Sequence, residues 1–223
     1  MNARHPAEGH CVDTRSAALA YYNVVVVFRE LKFGPILSEL ARKLLHGHPS
    51  PLITEIPNQV LAVVYPDRQI QCQFANRRVD VRDSRGTTPG AEPFPQVVIN
   101  AVNAAREASG AQIVAYGYNY ELDMPLGEGD AGAFLRTRFF KQPGEIGEAF
   151  GGTVGAVGIS ASVALPGGWQ ANFDIGPIQE RAGYAKAHVN YHYDSGEPPS
   201  EPGALVEEIE QKYREFRAAL EQL

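Results

Sequence analysis

The sequence predicts an α+β protein made of two units with the same element order, β-α-β-β-β-α. The two units are expected to form one curved, mainly antiparallel sheet with helices packed on one face. One observation is the Tyr-rich segment at residues 110–125, GAQIVAYGYNYELDMP, which alternates as a half-buried strand does. The other is that the strand and helix patterns before this segment recur in the same order after it.

The alternation in the Tyr-rich segment predicts which face of the sheet is covered. Large apolar and aromatic residues occupy one face: Val114, Tyr116, Tyr118, Tyr120 and Leu122. Small and polar residues occupy the other: Gly117, Asn119, Glu121 and Asp123. Antiparallel sheets covered on one side show this pattern, so the second face is expected to be open.

The elements of the first unit are predicted in chain order. The β-branched run at 21–29 is typical of a strand. A helix follows, with Pro35 near its first turn and Gly47 and Pro49 as stop signals. Three short strands (59–65, 68–75 and 78–83) and a Gly/Pro-rich loop then lead to a helix over 94–109, which Gly110 ends.

The second unit repeats this order. A strand over 111–123 is followed by a short helix over 131–141, for which Asp130 is the expected cap. Three strands are predicted over 153–165, 169–175 and 183–193, and the turn Pro166-Gly167-Gly168 joins the first two. A Pro-rich connector precedes the C-terminal helix. Its apolar residues repeat at three- and four-residue steps: Leu205, Ile209, Tyr213, Phe216 and Leu220.

The predicted organisation is a leader at 1–17, a first unit at 18–110 and a second unit at 111–223, together in one compact domain. This order of elements is similar to that of the TATA-binding protein saddle and of the half-rings of sliding clamps. The resemblance is one of element order alone, and it implies a duplicated unit whose sheets join edge to edge.

Composition bounds the class of protein. Among 223 residues, 44% are hydrophobic and 21% charged, as in ordinary globular proteins. The net charge of −6 argues against a large phosphate-binding surface, so nucleic acid is not an expected partner. Residues 1–17 lack the features of a secretory signal, and the uncharged run at 149–173 is expected to be a strand hairpin and not a membrane span. We expect a cytoplasmic protein, in which Cys72 is a small buried hydrophobe.

Two glycine-rich segments invite a nucleotide-binding interpretation that their chemistry disfavours. Residues 127–132 match G-x-G-x-x-G between a strand and a helix, but Glu128 and Asp130 would place carboxylates where a pyrophosphate must approach. Residues 151–158 lack the ending of a phosphate loop, and Gly155 and Gly158 are expected to mark a bulge or close backbone approach. No cofactor is predicted, and the nucleophile signatures are absent from the sequence.

A set of acids and one histidine on the open face is the candidate for chemistry. Its members are Glu121, Asp123, Asp174, His192 and Asp194. Clustered carboxylates with a histidine can bind a divalent metal or hold a general acid, and Asp174, His192 and Asp194 would then be the metal ligands. The His188 and His192 pair cannot share one ion, because residues four apart on a strand are separated by about 13 Å.

Two functions from different classes remain open. The first is a non-enzymatic binding or assembly subunit that contacts another protein, or a second copy of itself, through the open face or an edge strand. The alternative is a metal-assisted hydrolase or nuclease that uses the acid and histidine set. A third interpretation, a binder of single-stranded nucleic acid, requires Tyr116, Tyr118 and Tyr120 to be exposed, which a register shifted by one residue would produce.

Overall fold

A computed structural model describes residues 16–44, 52–126, 130–140, 147–149, 151–154 and 157–222. The strands are β1 (Ala18–Phe28), β2 (Leu52–Ile56), β3 (Val60–Tyr65), β4 (Ile70–Ala75), β5 (Arg78–Asp83), β6 (Ile113–Pro125), β7 (Ile159–Ala164), β8 (Trp169–Pro177) and β9 (Tyr184–Tyr193). The helices are α1 (Pro35–Leu44), α2 (Phe94–Ser109), α3 (Ala131–Phe139), α4 (Pro202–Glu207) and α5 (Ile209–Leu220).

The nine strands of the described residues join one antiparallel sheet, in the order β2-β3-β4-β5-β1-β6-β9-β8-β7. The strands of the first unit form one half of this sheet and those of the second unit form the other. They meet where β1 pairs with β6. The helices pack on one face, so the predicted α+β class, with one antiparallel sheet and helices on one side, is confirmed.

The alternation of β6 has the predicted register. Tyr116, Tyr118, Tyr120 and Leu122 are buried under the helices, whereas Asn119 on the other face is partly exposed. Val114 differs from the prediction, because it lies at the start of the strand and is exposed. Burial of the aromatic row places the core between the sheet and the helices, as expected for a one-layer sheet with an open face.

Two tyrosines of β6 hold the C-terminal helices by hydrogen bonds. The Tyr118 hydroxyl donates to the Leu205 carbonyl at 2.7 Å, and the Tyr120 hydroxyl donates to the Ile209 carbonyl at 2.6 Å. The predicted single C-terminal helix is in fact two helices, α4 and α5, divided at Glu208. Leu205, Ile209, Phe216 and Leu220 are buried as their spacing predicts.

An ion pair is buried at the end of β5. The Asp83 side chain is fully buried and accepts hydrogen bonds from the Arg85 guanidinium and from the Tyr22 hydroxyl, the latter at 3.0 Å. These partners satisfy a charge that would otherwise be costly away from water. The pair joins β5, β1 and the loop before α2, because the Arg85 guanidinium also donates to the Glu92 carbonyl.

Two strand predictions need correction. Strand β2 was not predicted, because Leu52–Ile56 lacks a strict alternation and is bounded by Pro51 and Pro57. The strand predicted over 153–165 is β7, which is six residues long. The described residues just before β7 are not strand, which reflects the weak strand tendency of a glycine-rich segment.

Two further predictions have structural outcomes. Cys72 is buried and free, and burial raises the pKa of its thiol, as expected for a small core residue. Within the part of the chain that the structure describes, no helix is both long and apolar enough to span a bilayer.

Candidate protein-interaction surfaces

Basic residues compensate the two acids of β6 that project from the open face. Glu121 lies 2.9 Å from the Lys186 ammonium, and Asp123 forms an ion pair with Arg181. The Glu121 carboxylate raises the pKa of Lys186 above its ordinary value, mainly through their hydrogen bond. Both acids therefore have cationic partners on the open face, which reduces their capacity to bind a metal ion.

Of the remaining candidate acids, Asp174 shares the row of Glu121, because both lie opposite His188 of β9, whereas Asp194 follows the end of β9. Asp174 is opposite His188 across the β8–β9 pair, with 3.9 Å between the His188 Nδ1 and the nearer carboxylate oxygen. His192 lies opposite Gln170 and 3.2 Å from the Asp194 carboxylate. The rows of Asp174 and His192 are four residues apart, or about 13 Å. No group of three metal-binding side chains occurs among the described residues.

A row of amide side chains crosses the middle of the open face. Asn23, Asn119, Asn190 and Asn172 lie opposite one another on β1, β6, β9 and β8. Asn190 donates to the Asn119 side-chain carbonyl, and Asn23 donates to the Asp80 carboxylate at 2.8 Å. The centre of this face is therefore polar and mostly uncharged, which sequence reasoning missed because the register between strands was unknown.

The glycine-rich segments act structurally where they are described. The Asp130 carboxylate accepts hydrogen bonds from the backbone N–H groups of Gly132 and Ala133, so it caps α3 as predicted. Gly127, Glu128 and Gly129 lie outside the described residues, as does Gly155. A Cβ atom on Gly158 would lie 3.2 Å from the Ile175 carbonyl oxygen, which agrees with the predicted close backbone approach.

Edge strand β2 carries the densest exposure of large apolar side chains. All five of its residues are exposed, and Leu52, Ile53 and Ile56 have 60%, 38% and 48% of their surface accessible. Its one charged side chain, Glu55, accepts a hydrogen bond of 2.9 Å from the Ser38 hydroxyl of α1. Natural edge strands usually carry outward charges or prolines that block further pairing, whereas β2 has no proline within the strand and its one charged side chain, Glu55, is held by the Ser38 hydroxyl.

The open face beside β2 continues this apolar surface. Leu52 and Ile56 lie opposite Val64 and Val60 of β3, with Thr54 opposite Ala62 between them. These side chains project away from the helices, because the alternate residues of β3 are buried beneath them. The open face of the outer two strands of the first unit is therefore apolar.

The other edge of the sheet differs in which face is apolar. Strand β7 carries no charge, and Val163 is exposed on the side of the helices. A groove of about 810 Å³ runs there between α5 and the two outer strands. It is lined by apolar side chains such as Trp169, Phe173 and Val163, together with Glu208, Lys212 and Glu215 of the helical wall.

The exposed-tyrosine arrangement that a nucleic-acid stacking platform requires is not what the structure shows. Tyr116, Tyr118 and Tyr120 are buried on the helix side. Their rings pack against other aromatic side chains, including Trp169 and Phe216. The open face of β6 instead presents amide and charged groups.

Comparison with known proteins gives a fold neighbour and no family. No protein-family model matches the chain, and no curated protein matches it. Among solved structures, the chain is similar to Methanococcus jannaschii TBP, with 10% sequence identity and a TM-score of 0.35. The match covers 93% of this chain and 99% of that chain.

Proposed function

We propose that this chain is a non-enzymatic binding or assembly subunit, and that it contacts a second copy of itself or another protein through edge strand β2. The observation that carries the proposal is the exposure of Leu52, Ile53 and Ile56 on one five-residue edge strand. An edge strand offers a row of unpaired backbone N–H and C=O groups to a partner strand. Here the apolar side chains add a driving force to those hydrogen bonds.

The sequence of β2 is complementary to itself in one antiparallel register. With Thr54 opposite Thr54 of a second copy, Leu52 lies opposite Ile56 of that copy on the open face, and the reverse pair forms by symmetry. On the helix side, Ile53 lies opposite Glu55 of the second copy. All five residues of each strand are then paired, and a two-fold axis closes the assembly as a dimer.

Other registers are less favourable for physical reasons. A shift by one residue brings side chains of opposite faces together, so the apolar residues would no longer meet. A shift by two residues leaves fewer of the five residues paired. Cross-strand apolar pairs contribute about 0.2–1 kcal/mol each relative to alanine pairs, so the symmetric register with two Leu–Ile pairs is preferred.

Native mass measured by light scattering over a concentration series tests the proposal. We expect wild-type protein to reach twice the chain mass, and Ile56→Lys to weaken the dimer at least tenfold because it places two ammonium groups in an apolar contact. Ser160→Lys on β7 is the matched control, since it adds the same charge to the opposite edge. A mass that Ile56→Lys leaves unchanged, or that Ser160→Lys lowers equally, would rule out assembly through β2.

Calorimetry distinguishes the alternative, a metal-assisted hydrolase or nuclease, from this proposal. Titration with Mg²⁺, Mn²⁺ and Zn²⁺ is expected to show no saturable binding to wild-type protein. Saturable binding that Asp174→Ala abolishes would instead favour the hydrolase interpretation, because Asp174, unlike Glu121 and Asp123, has no Lys or Arg within salt-bridge distance among the described residues.

A further inference from the structure

The groove under α5 arises because two strands extend beyond the helices that cover the sheet. Tyr118 and Tyr120 of β6 hold α4 and α5 over the centre of the second unit. Phe216 of α5 reaches as far as Phe173 of β8, with 6.2 Å between their ring centroids. Outside this contact, Val163 of β7 is 46% exposed although it lies on the helix side. The sheet is therefore uncovered where a core would otherwise continue.

The first unit shows what covers the equivalent surface there. In that unit α1 packs against α2, and α2 lies on β4 and β5. In the second unit α3 packs against β8, and in the described part of the chain it makes no comparable contact with α5. In element order α3 is the counterpart of α1, and because α3 does not pack against α5 in this way, the groove lies beside α5.

The dimensions of the groove fit one helix. Strands in a sheet are about 4.8 Å apart, so the two outer strands offer a strip about 10 Å wide. A helix with its side chains is about 10–12 Å across, and packed helices lie about 8–10 Å apart. A helix laid beside α5 would therefore rest on β7 and β8, with its apolar side chains on Val163, Ala171 and Phe173.

The charges on the wall of the groove select the polar face of that helix. Lys212 is buried, 3.0 Å from the Glu215 carboxylate, and its ammonium lies 4.5 Å from the centre of the Trp169 ring. Glu208 has no such cationic partner within salt-bridge distance among the described residues, and burial raises the pKa of its carboxyl group. The wall thus carries two carboxylates and one ammonium, which favours a basic ligand.

We propose that this groove binds an amphipathic helix of a partner protein, with apolar residues at i, i+3, i+4 and i+7 and Lys or Arg beside them. This site goes beyond the proposed assembly through β2 and does not depend on it, because β2 lies at the opposite edge of the sheet. A strand of a second copy is a poorer occupant. Pairing of β7 with itself would join two grooves and leave the apolar floor of each uncovered.

The single tryptophan of the chain, Trp169, lines the groove and reports its occupancy. The probe is a 14-residue helical peptide of Leu and Lys that contains no Trp, compared with a Leu/Glu peptide of the same leucine pattern and a Leu/Lys peptide with the pattern scrambled. We expect a saturable change of Trp169 fluorescence with one Leu/Lys peptide per chain. The other two peptides should bind at least tenfold more weakly.

Two neutral substitutions on β7 provide the matched comparison. Val163→Asn removes an apolar contact from the groove floor and should weaken binding of the Leu/Lys peptide about tenfold or more, because the apolar surface of Val163 is no longer buried in the complex. Ser160→Asn, on the opposite face of the same strand, should change its affinity less than twofold. Val163 and Ser160 are both exposed on edge strand β7, so we expect both variants to fold, and thermal unfolding checks this.

Glu208→Gln tests the charge argument. It should bring the affinities of the Leu/Lys and Leu/Glu peptides closer together, because it removes the wall carboxylate that has a hydrogen bond from Tyr118 but no salt bridge among the described residues. The proposal is overturned if the scrambled peptide binds as well as the patterned one, or if Val163→Asn binds like wild type. It is also overturned if dodecylamine saturates the groove while no peptide does, which would indicate a small-molecule site, or if Trp169 fluorescence changes with protein concentration alone.

Discussion

Removal of the buried carboxylate at Asp83 gives the sharpest test of how β5, β1 and the loop before α2 are held together. Asp83→Ala leaves the Arg85 guanidinium, which is mostly buried, without its counter-ion, and it removes the acceptor of the Tyr22 hydroxyl. Breaking a buried ion pair by removing one partner costs about 3–5 kcal/mol. A domain of this kind is stable by about 5–15 kcal/mol, so the variant should lose a large fraction of its stability.

Urea denaturation of wild type and variant measures this loss. We expect a lower midpoint with an unchanged slope, which indicates altered stability and not an altered unfolded state. Asp67→Ala is the matched control, because Asp67 forms only an exposed pair with Arg68 at 3.9 Å. Exposed pairs contribute about 0–1 kcal/mol, so this control should be nearly neutral.

A double variant shows whether the loss comes from the unpaired charge. Asp83→Leu combined with Arg85→Met removes both charges and should be more stable than Asp83→Ala alone, because no buried guanidinium remains uncompensated. Two results would contradict the role of the buried pair. One is a loss of less than about 1 kcal/mol in the free energy of unfolding of Asp83→Ala. The other is a double variant whose loss equals the sum of the losses of its two separate substitutions.

Three further predictions follow from the second unit and the core. Burial raises the pKa of Glu208, so Glu208→Gln should stabilise the protein at pH 7, and this gain should shrink as the pH falls toward 4 and the wild-type carboxyl becomes protonated. Burial also raises the pKa of several core tyrosines, that of Tyr65 to about 12. Stability should therefore fall above pH 10, because tyrosines ionise there in the unfolded chain and not in the folded one. Absorbance at 295 nm should show that these tyrosines ionise only as the protein unfolds. Deletion of residues 205–223 should leave insoluble protein, because Tyr118 and Tyr120 lose their cover; a soluble, folded truncation would show that α5 is not part of the core.

The sequence predicted local structure well where the side-chain period was strong. The alternation of Tyr116, Tyr118 and Tyr120 identified both the strand and its buried face, and the pattern ending at Gly110 gave α2 its observed bounds. Asp130 was identified as a cap by its place before an apolar run. These features depend on neighbours within one turn or one strand, which a single sequence contains.

The arrangement of the surfaces depended on strand register, which the sequence does not contain. Glu121 and Asp174 were expected to lie near one another, and the pairing places both opposite His188 in one row, but Lys186 holds the Glu121 carboxylate in an ion pair. Strand β2 was missed because its five residues have no strict period and owe their strand conformation to pairing with β3. The groove beside α5 likewise depends on where α3 packs, which is a tertiary property.

Cross-linking of Thr54→Cys tests assembly through β2 most directly. In the proposed register, this residue faces its own copy, and residues directly opposite in an antiparallel pair are about 4.5–5.5 Å apart at Cα, a separation that a disulfide spans. The test uses a Cys11→Ser background, which leaves only the buried Cys72 besides the introduced cysteine. Leu52→Cys is the control, because two copies of residue 52 would lie about 13 Å apart. We expect rapid covalent dimer from Thr54→Cys and little from Leu52→Cys. Equal cross-linking of the two variants, or none from Thr54→Cys, would contradict the proposal that β2 pairs with itself.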